Sequence, residues 1–204
     1  MRIALFGSTR GVGRQILERA GDLGFGVRAL ARNAQVLPEI PGVEVVEGNV
    51  LDPGAVFRAV NGCDAVVIAL GNTKNNPDFV VSSGTEIVLQ VMKKLGVQRV
   101  IAITSLGVGD SQDCVPGFFR LLMKTVLKKT MLDKEKQETL LRQSGLDWTA
   151  IRPAGLIDGD VSGHARTGTS LDIVAGRVSR ADVAQFVLTE LRANEYIGQT
   201  PWIT

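Results

Sequence analysis

A glycine-rich segment near residue 10 has the composition of a phosphate-binding turn. It follows an apolar run and precedes a helical pattern, and it reads Gly7-Ser8-Thr9-Arg10-Gly11-Val12-Gly13. Glycines allow a tight turn, let backbone N–H groups approach a pyrophosphate and let a helix pack closely on a strand. The phosphate then lies at the positive end of the helix dipole. The segment therefore predicts a dinucleotide-binding loop rather than a P-loop, because no Gly-Lys-Ser/Thr follows it.

Two arginines indicate which dinucleotide this loop would hold. An NAD site normally has a carboxylate at the end of the second strand, where it accepts from the ribose 2′-hydroxyl. Here no carboxylate lies between Asp22 and Glu39; Arg32 stands near that position, and Arg10 lies inside the loop. Arginine binds phosphate through paired hydrogen bonds, so the pattern favours NADP(H) over NAD(H). The alternative is that both arginines are solvated surface groups.

Further cofactor contacts are expected where two other strands end. The third strand leads into Asn49 and Val50, and the Asn49 amide can bond an adenine edge. The fourth strand leads into Leu70-Gly71-Asn72, which should pass beneath the cofactor where the strand order reverses. Ordinary loop structure is the alternative for both segments.

The number of tyrosines in the sequence limits how a proton could be transferred. Short-chain dehydrogenases use a tyrosine four residues before a lysine, whereas the single tyrosine here, Tyr196, is followed four residues later by Thr200. Hydride transfer would therefore need an acceptor that holds the arriving charge itself or takes a proton from solvent. Flavins and extended tetrapyrroles meet that requirement, and simple ketones meet it poorly.

Three other polar positions are candidates for the reactive end of the site. Thr104-Ser105 ends the fifth strand beside the expected nicotinamide, where Ser105 either orients the carboxamide or a substrate, or satisfies nearby backbone. Lys134 lies four residues before Glu138 on one helix face, so it either reaches the nicotinamide ribose or forms an exposed ion pair. His164, the single histidine, is either a general acid or a surface residue. Ser105 and Lys134 are the predicted catalytic residues.

The elements that position these residues alternate between short β-branched runs and longer helical patterns. This alternation predicts an α/β fold of the Rossmann type, doubly wound, with a mostly parallel sheet and helices on both faces. Residues 1–204 are expected to form one domain. Strands are expected at 2–6, 26–30, 43–47, 65–70, 99–104, 148–152 and 200–203. Helices are expected at 12–23, after Asp52-Pro53, at 78–95, at 118–143 in one or two segments and at 179–192, with irregular chain at 107–117 and 153–176.

A basic amphipathic stretch at residues 118–129 allows three interpretations. It could be a lid over a flat acidic substrate, a membrane-surface helix, or a helix packed on the body with its basic face in water. We favour the third, because a packed helix with a solvated basic face is the commonest use of such a pattern.

The composition limits the expected partners. A net charge of +2 opposes nucleic acid as the main partner, because phosphate backbones need a concentrated basic face. No apolar run is long enough for a membrane span, and the first residues resemble a strand rather than a signal peptide. Cys63 and Cys114 form no spaced pair, which predicts reduced thiols and no metal site. A cytoplasmic protein that acts on small molecules is expected.

Five segments together resemble the atypical short-chain dehydrogenases over nearly the whole chain. Within that group they are most similar to the NADPH-dependent flavin reductases of the biliverdin reductase B type. The segments are 7–13, 48–50, 104–105, 144–153 and 173–182, and Pro153 in the fourth is a further predicted cofactor contact.

The resemblance implies a monomeric enzyme that reduces flavins, and in some members biliverdin, with NADPH. It implies that Arg32 holds the 2′-phosphate and that Ser105 lies at the nicotinamide. Three positions depart from the family pattern. Arg10 replaces a glycine of the loop, and Val36 replaces a second arginine for the 2′-phosphate, for which Arg10 could substitute. Ala154 replaces a histidine, which weakens the expectation for biliverdin.

We therefore expect an NADPH-dependent reductase of flavins such as FMN and riboflavin, and of biliverdin-type linear tetrapyrroles, that works without a Tyr–Lys relay. An NADP(H)-binding sensor or assembly factor without catalytic activity fits the missing tyrosine equally well. An isomerase or reductase acting on another metabolite is a third hypothesis, because a fold alone does not fix function.

Overall fold

The computed structural model describes residues 1–73, 76 and 78–204, with the backbone alone at 119 and 124. Its strands are β1 (Arg2–Phe6), β2 (Gly26–Ala31), β3 (Val43–Glu47), β4 (Ala65–Ile68), β5 (Arg99–Ile103), β6 (Asp147–Pro153), β7 (Gly155–Ile157), β8 (Thr167–Gly168), β9 (Arg177–Ser179) and β10 (Trp202–Ile203). Its α-helices are α1 (Gly11–Ala20), α2 (Pro53–Val60), α3 (Val80–Leu95), α4 (Gly117–Lys124), α5 (Lys128–Gln143) and α6 (Arg180–Ala193).

Eight of these strands form one sheet in the order β3-β2-β1-β4-β5-β6-β10-β8. Neighbouring strands are parallel except β10 and β8, and β7 pairs with β9 outside the sheet. The strand order reverses between β1 and β4, which leaves a crevice outside their carboxyl ends. The predicted Rossmann-type, doubly wound and mostly parallel fold is confirmed, and such a crevice is where these sheets bind ligands.

Both faces of the sheet are covered by helices, as expected. Along β1 the side chains alternate, so that Ile3 and Leu5 pack in one apolar core with α1 and α6. Ala4 and Phe6 point the other way and pack in a second core with α2, α3 and the end of α5. A strand covered on both faces needs apolar residues at every position, which explains why β4 is apolar and buried throughout.

The first helix is shorter than expected, because it ends at Ala20 rather than at residue 23. Gly24 has a positive φ of 72°, and the Phe25 N–H donates to the carbonyl oxygen of Ala20 at 2.9 Å. This is the bond of a helix that is closed by a left-handed glycine. The glycine therefore closes a turn that lies beyond the helix and does not mark its last residue.

The region from 107 to 176 is more ordered than expected. The predicted segment at 118–143 is two helices, because the backbone leaves the helical region at Thr125. The loop at 107–117 contains a 3₁₀ helix at Gly109–Cys114, and the irregular segment at 153–176 contains β7 and β8. These short elements carry no periodic apolar signal, so the sequence pattern does not predict them.

The described part of the chain has no helix with the length and hydropathy needed to cross a bilayer. It also contains no group of three or more His, Cys, Asp or Glu side chains arranged to hold a metal ion. Cys63 and Cys114 are free and buried. Burial raises the pKa of both thiols, which disfavours the reactive thiolate form.

Helix α3 begins with a cap that comes from another helix. Phe79, just before it, has a positive φ of 61° and supplies no side-chain cap. Instead the fully buried carboxylate of Asp133 in α5 accepts from the backbone N–H groups of Val81 at 3.1 Å and Ser82 at 2.7 Å. This carboxylate satisfies two of the unpaired donors that every helix start presents.

We expect Asp133→Asn to lower the free energy of unfolding by about 1–2 kcal/mol, because it removes the charge that caps α3. Urea unfolding measures this loss. Asp22→Asn, at an exposed position just after α1, is the matched control and should change the value by less than about 0.5 kcal/mol. Equal effects of the two substitutions would show that the cap does not stabilise α3.

Candidate functional site

A groove of about 460 Å³ lies outside the carboxyl ends of the central strands. The loops that follow β1 to β5 line it, and α5 contributes one side chain. Twelve residues predicted from the sequence line this groove: Gly7, Thr9, Arg10, Gly11, Val12, Arg32, Asn49, Leu70, Gly71, Asn72, Thr104 and Lys134.

Three other predicted cofactor residues lie behind the groove instead of at its surface. Ser8 is fully buried, and its Oγ has no hydrogen-bond partner among the described residues. A Cβ on Gly13 would lie 2.1 Å from the carbonyl oxygen of Gly7, so this glycine lets α1 approach the loop. Val50 is buried against Gly84 of α3, where a Cβ would come within 2.9 Å of it. These residues shape the loops that line the groove.

The glycine loop has the geometry of a phosphate cradle. Gly7 has a φ of 91°, and a Cβ there would lie 2.4 Å from the carbonyl oxygen of Ala69, so no other residue fits. Gly11 has a φ of 59° and opens α1, whose start at Arg10 receives no side-chain cap. The first N–H groups of α1 are therefore available to an anion at this end of the groove. The loop fits the pyrophosphate of a dinucleotide.

The groove is electropositive. Among its described lining residues the charged side chains are Arg10, Arg32, Lys134 and Arg180, and none is acidic. The exposed Arg32 follows β2, and its Nη1 donates to the neutral Oδ1 of Asn76 at 2.9 Å. Its charge is therefore not compensated by that bond. The lining suits a ligand that carries several phosphates.

Lys134 joins the ends of two strands. Its Nζ donates to the carbonyl oxygens of Ile103 at 2.6 Å and Leu70 at 3.0 Å, and also to Oε1 of Gln137 at 3.4 Å. The side chain is buried and forms no salt bridge with Glu138. The alternative of an exposed Lys134–Glu138 pair is therefore wrong, because the helix face that carries both residues packs against the sheet.

Burial also changes the acidity of Lys134. It lowers the pKa of the ammonium group from 10.5 to about 8, because the charged form is poorly solvated. The nearby carboxylates of Asp133 and Glu138 act in the opposite direction and offset part of this effect.

A buried ionic network lies behind Thr104. Oε1 of Glu138 accepts from Thr104 Oγ1 and from Arg152 Nε, both at 2.9 Å, and Oε2 accepts from Arg152 Nη2 at 2.7 Å. Arg152 Nη1 also donates to Asp110 Oδ1 at 2.6 Å. Burial would raise the pKa of Asp110, but the hydrogen bond and charge of Arg152 outweigh it and hold that pKa below its usual range. The network connects β6, α5 and the 3₁₀ helix to the groove.

Arg152 and Asp110 are parts of the site that were not predicted from the sequence. A signal for Arg152 exists, because an arginine within the apolar strand β6 must find a buried carboxylate. Asp110 gives no such signal, since an aspartate in a loop is usually exposed. Its position beside Arg152 depends on the fold of the 3₁₀ helix.

A second pocket, of about 590 Å³, adjoins the groove, and Leu156 lines both. Ser105 and Pro153 line this pocket rather than the groove, and Ser105 Oγ donates to the carbonyl oxygen of Leu106 at 3.1 Å. The predicted residues Thr104 and Ser105 therefore lie on either side of the boundary between the two cavities. The pocket is mainly apolar, with the lining residues Ser105, Leu106, Val115, Pro116, Phe118, Pro153, Ala154, Gly155, Leu156, Ala175, Gly176 and Arg177.

Helix α4 lies beside this pocket. Phe118 lines the pocket although it is 82% exposed, and Leu121 is 63% exposed. On the other side of the helix, Met123 is buried over Gly107, where a Cβ would come within 2.3 Å of it. The stretch at 118–129 thus packs on the body by one side, and it exposes apolar as well as basic side chains.

Two residues considered for proton transfer lie away from both cavities. Tyr196 packs edge-on against Phe186 with ring centroids 5.7 Å apart, and its carbonyl oxygen accepts from Thr149 in the first half of β6. His164 is exposed, and its backbone N–H donates to Ser162 Oγ. Neither side chain lines the groove or the second pocket.

Comparison with known proteins defines the class. Residues 7–194 match a family described as NAD(P)H-binding, and the chain belongs to this family of NAD(P)H-dependent oxidoreductases. This confirms the group expected from the resemblance to atypical short-chain dehydrogenases. The family match covers NAD(H) and NADP(H) alike, and it does not single out the biliverdin reductase B type.

Individual relatives have different activities. A solved structure described as ChuY, an anaerobillin reductase from Escherichia coli O157:H7, is similar to this chain with a TM-score of 0.86 and 28% identity, covering 100% of this chain and 96% of that one. A Streptomyces griseus (4-alkanoyl-5-oxo-2,5-dihydrofuran-3-yl)methyl phosphate reductase is 30% identical over 78% of this chain, which spans 50% of that protein. The photosystem II assembly factor Ycf39 of Synechocystis is 26% identical over 98% of this chain and 61% of its own length.

We expect the pH dependence of stability to reveal the buried lysine. Folded Lys134 loses its proton near pH 8, and the unfolded chain loses it near pH 10.5. Between these values the unfolded chain binds more protons, so stability rises with pH. Relative to Lys134→Met, the free energy of unfolding of the wild type should increase by about 2–3 kcal/mol across this window.

Urea unfolding at a series of pH values measures this difference. Lys93→Met, at an exposed position on α3, provides the matched control and should show no such relative change. A constant difference between wild type and Lys134→Met would contradict the lowered pKa.

Proposed function

We propose that this protein is an NADPH-dependent reductase of flat acceptors, namely flavins and biliverdin-type linear tetrapyrroles. The observation that carries the proposal is the pair of adjoining cavities. An electropositive groove suited to a dinucleotide meets a mainly apolar pocket at Thr104, Ser105 and Leu156. Such a pocket suits an extended ring system, because ligand pockets of this kind bury planar apolar surface and fix it with few polar groups.

A reduced nicotinamide supplies a hydride when it is bound, and the chain supplies the positioning. The glycine loop and the start of α1 bind the pyrophosphate, and Arg10 and Arg32 bind the 2′-phosphate. Lys134 holds the ends of β4 and β5 together, and Thr104 is fixed by Glu138. Because these groups are held before any ligand binds, proximity and orientation provide most of the rate acceleration.

The proton that completes the reduction after hydride transfer comes from solvent in this proposal. Among the described residues the second pocket contains one ionisable side chain, Arg177, and arginine does not release its proton. The N–H groups of Lys134 already donate to protein acceptors. Acceptors that hold the arriving charge are therefore favoured over simple ketones. Ala154 lines the pocket where the flavin reductases have a histidine, so that side chain makes no contribution here.

Relatives with reductase names support the proposal, and a non-catalytic NADP(H) sensor or assembly factor is the second candidate. The similarity to Ycf39 and the position of Tyr196 outside both cavities favour this candidate. We also propose that the protein works as a cytoplasmic monomer on small molecules, which agrees with its net charge of +2 and its two free cysteines.

We expect the purified protein to oxidise NADPH in the presence of FMN, riboflavin or biliverdin, and to do so much more slowly with NADH. The loss of NADPH absorbance measures the rate with each acceptor in parallel. Tight NADPH binding without oxidation by any of the three would support the sensor and contradict the reductase.

We expect Arg32→Ala to raise the KM for NADPH about 10- to 100-fold and the KM for NADH less than about twofold, because a charge-assisted bond to the 2′-phosphate is lost. Steady-state kinetics with both cofactors measures the two values. Arg58→Ala on α2, which lines neither cavity, is the matched control. An equal increase in KM for both cofactors would show that Arg32 does not bind the 2′-phosphate.

A further inference from the structure

The apolar pocket contains a single charged side chain among its described lining residues. Arg177 opens β9, which pairs with β7 so that Arg177 lies opposite Gly155. Its stem packs beside that glycine, since a Cβ on Gly155 would lie 3.7 Å from Arg177 Cγ. The aliphatic part of Arg177 therefore packs against the backbone of β7. Because Arg177 is exposed, its charged guanidinium lies at the edge of the apolar pocket.

The guanidinium of Arg177 differs from those of Arg180 and Arg152. Arg180 pairs with Asp158 at 2.8 Å, and Arg152 pairs with Glu138 at 2.7 Å. Among the described residues Arg177 has neither a salt bridge nor a side-chain hydrogen bond, and no acidic residue lines its pocket. Its five N–H donors remain available to a ligand.

We propose that Arg177 makes this pocket selective for flat acceptors that carry an acidic group, either a phosphate or a carboxylate. The inference deepens the proposed reductase function and rests on it. The apolar walls would cover the ring system, and the guanidinium would bind the acidic group at the rim through paired hydrogen bonds. The bond is strengthened because one side of it faces apolar surface rather than water.

FMN and riboflavin provide a test of this selectivity, since they share one ring system and differ by a phosphate. Quenching of flavin fluorescence by the NADP⁺-bound protein measures the affinity for each without turnover. The wild type should prefer FMN, and Arg177→Gln should reduce that preference about tenfold, because it removes a charge-assisted bond. Arg177→Lys should keep part of the preference. Arg58→Gln changes the net charge equally, lies outside both cavities and should keep all of it.

Biliverdin and its dimethyl ester test the carboxylate in the same way, by quenching of the protein's tryptophan fluorescence. A preference for FMN that depends on Arg177 identifies a phosphate as the group bound. A preference for free biliverdin over its ester that depends on Arg177 identifies a carboxylate. Either result supports the proposal. If neither pair is distinguished, or if Arg177→Gln weakens both members of each pair equally, the proposal is wrong.

The two proposals fail in different ways. If FMN binding depends on Arg177 but no acceptor oxidises NADPH, the reductase function is wrong and the anion-selective pocket remains. If riboflavin and FMN are reduced equally well and Arg177→Gln changes neither rate, the reductase function remains and Arg177 has no role in selecting the acceptor.

Discussion

The buried ion pair between Glu138 and Arg152 is the interaction on which the rest of the site depends. It joins α5 to β6 in the interior. Removing Glu138 would leave Arg152 with only the exposed Asp110, and removing Arg152 would leave Glu138 with only the exposed Arg142, at a cost of up to about 3–5 kcal/mol. Because the pair fixes the rotation of α5, the same helix places Asp133 at the start of α3 and Lys134 at the ends of β4 and β5. Thr104, at the boundary of the two cavities, donates to the same Glu138 carboxylate.

The fold was largely predictable because it rests on local patterns. The alternation of apolar strands and helical segments predicts the sheet and its two helix layers, and β1 and β3 have the predicted bounds. Where an observed helix or strand ends at a different residue from the predicted one, hydrogen bonds set the end, and the apolar periodicity of the sequence does not reveal those bonds. Gly24, for example, lies four residues beyond the last residue of α1, where the Phe25 N–H donates to the carbonyl oxygen of Ala20.

The site residues were predictable where the backbone geometry permits only one residue type. They were less predictable where contacts with residues distant in sequence determine whether a side chain is buried. Gly7 and Gly13 are required by close approaches that only glycine permits, so the loop is visible in the sequence. Charged residues on α5 suggest an exposed helix, yet Lys134 and Glu138 are buried, because their partners come from strands distant in sequence. Ser105 follows Thr104 directly but faces a different cavity, since successive side chains leave a strand in opposite directions.

The way in which the sheet ends has a consequence for solubility. At one edge β8 has only two residues, and at the other β3 carries the exposed Glu44 and Glu47. A long, flat apolar edge strand would be a template for a foreign strand and so for aggregation. A two-residue strand offers almost no free backbone for pairing. The β3 strand of a second copy would bring its own Glu44 and Glu47 towards the same acidic edge. The described sheet therefore ends in water at both edges, and a concentrated solution of folded protein should resist cross-β association.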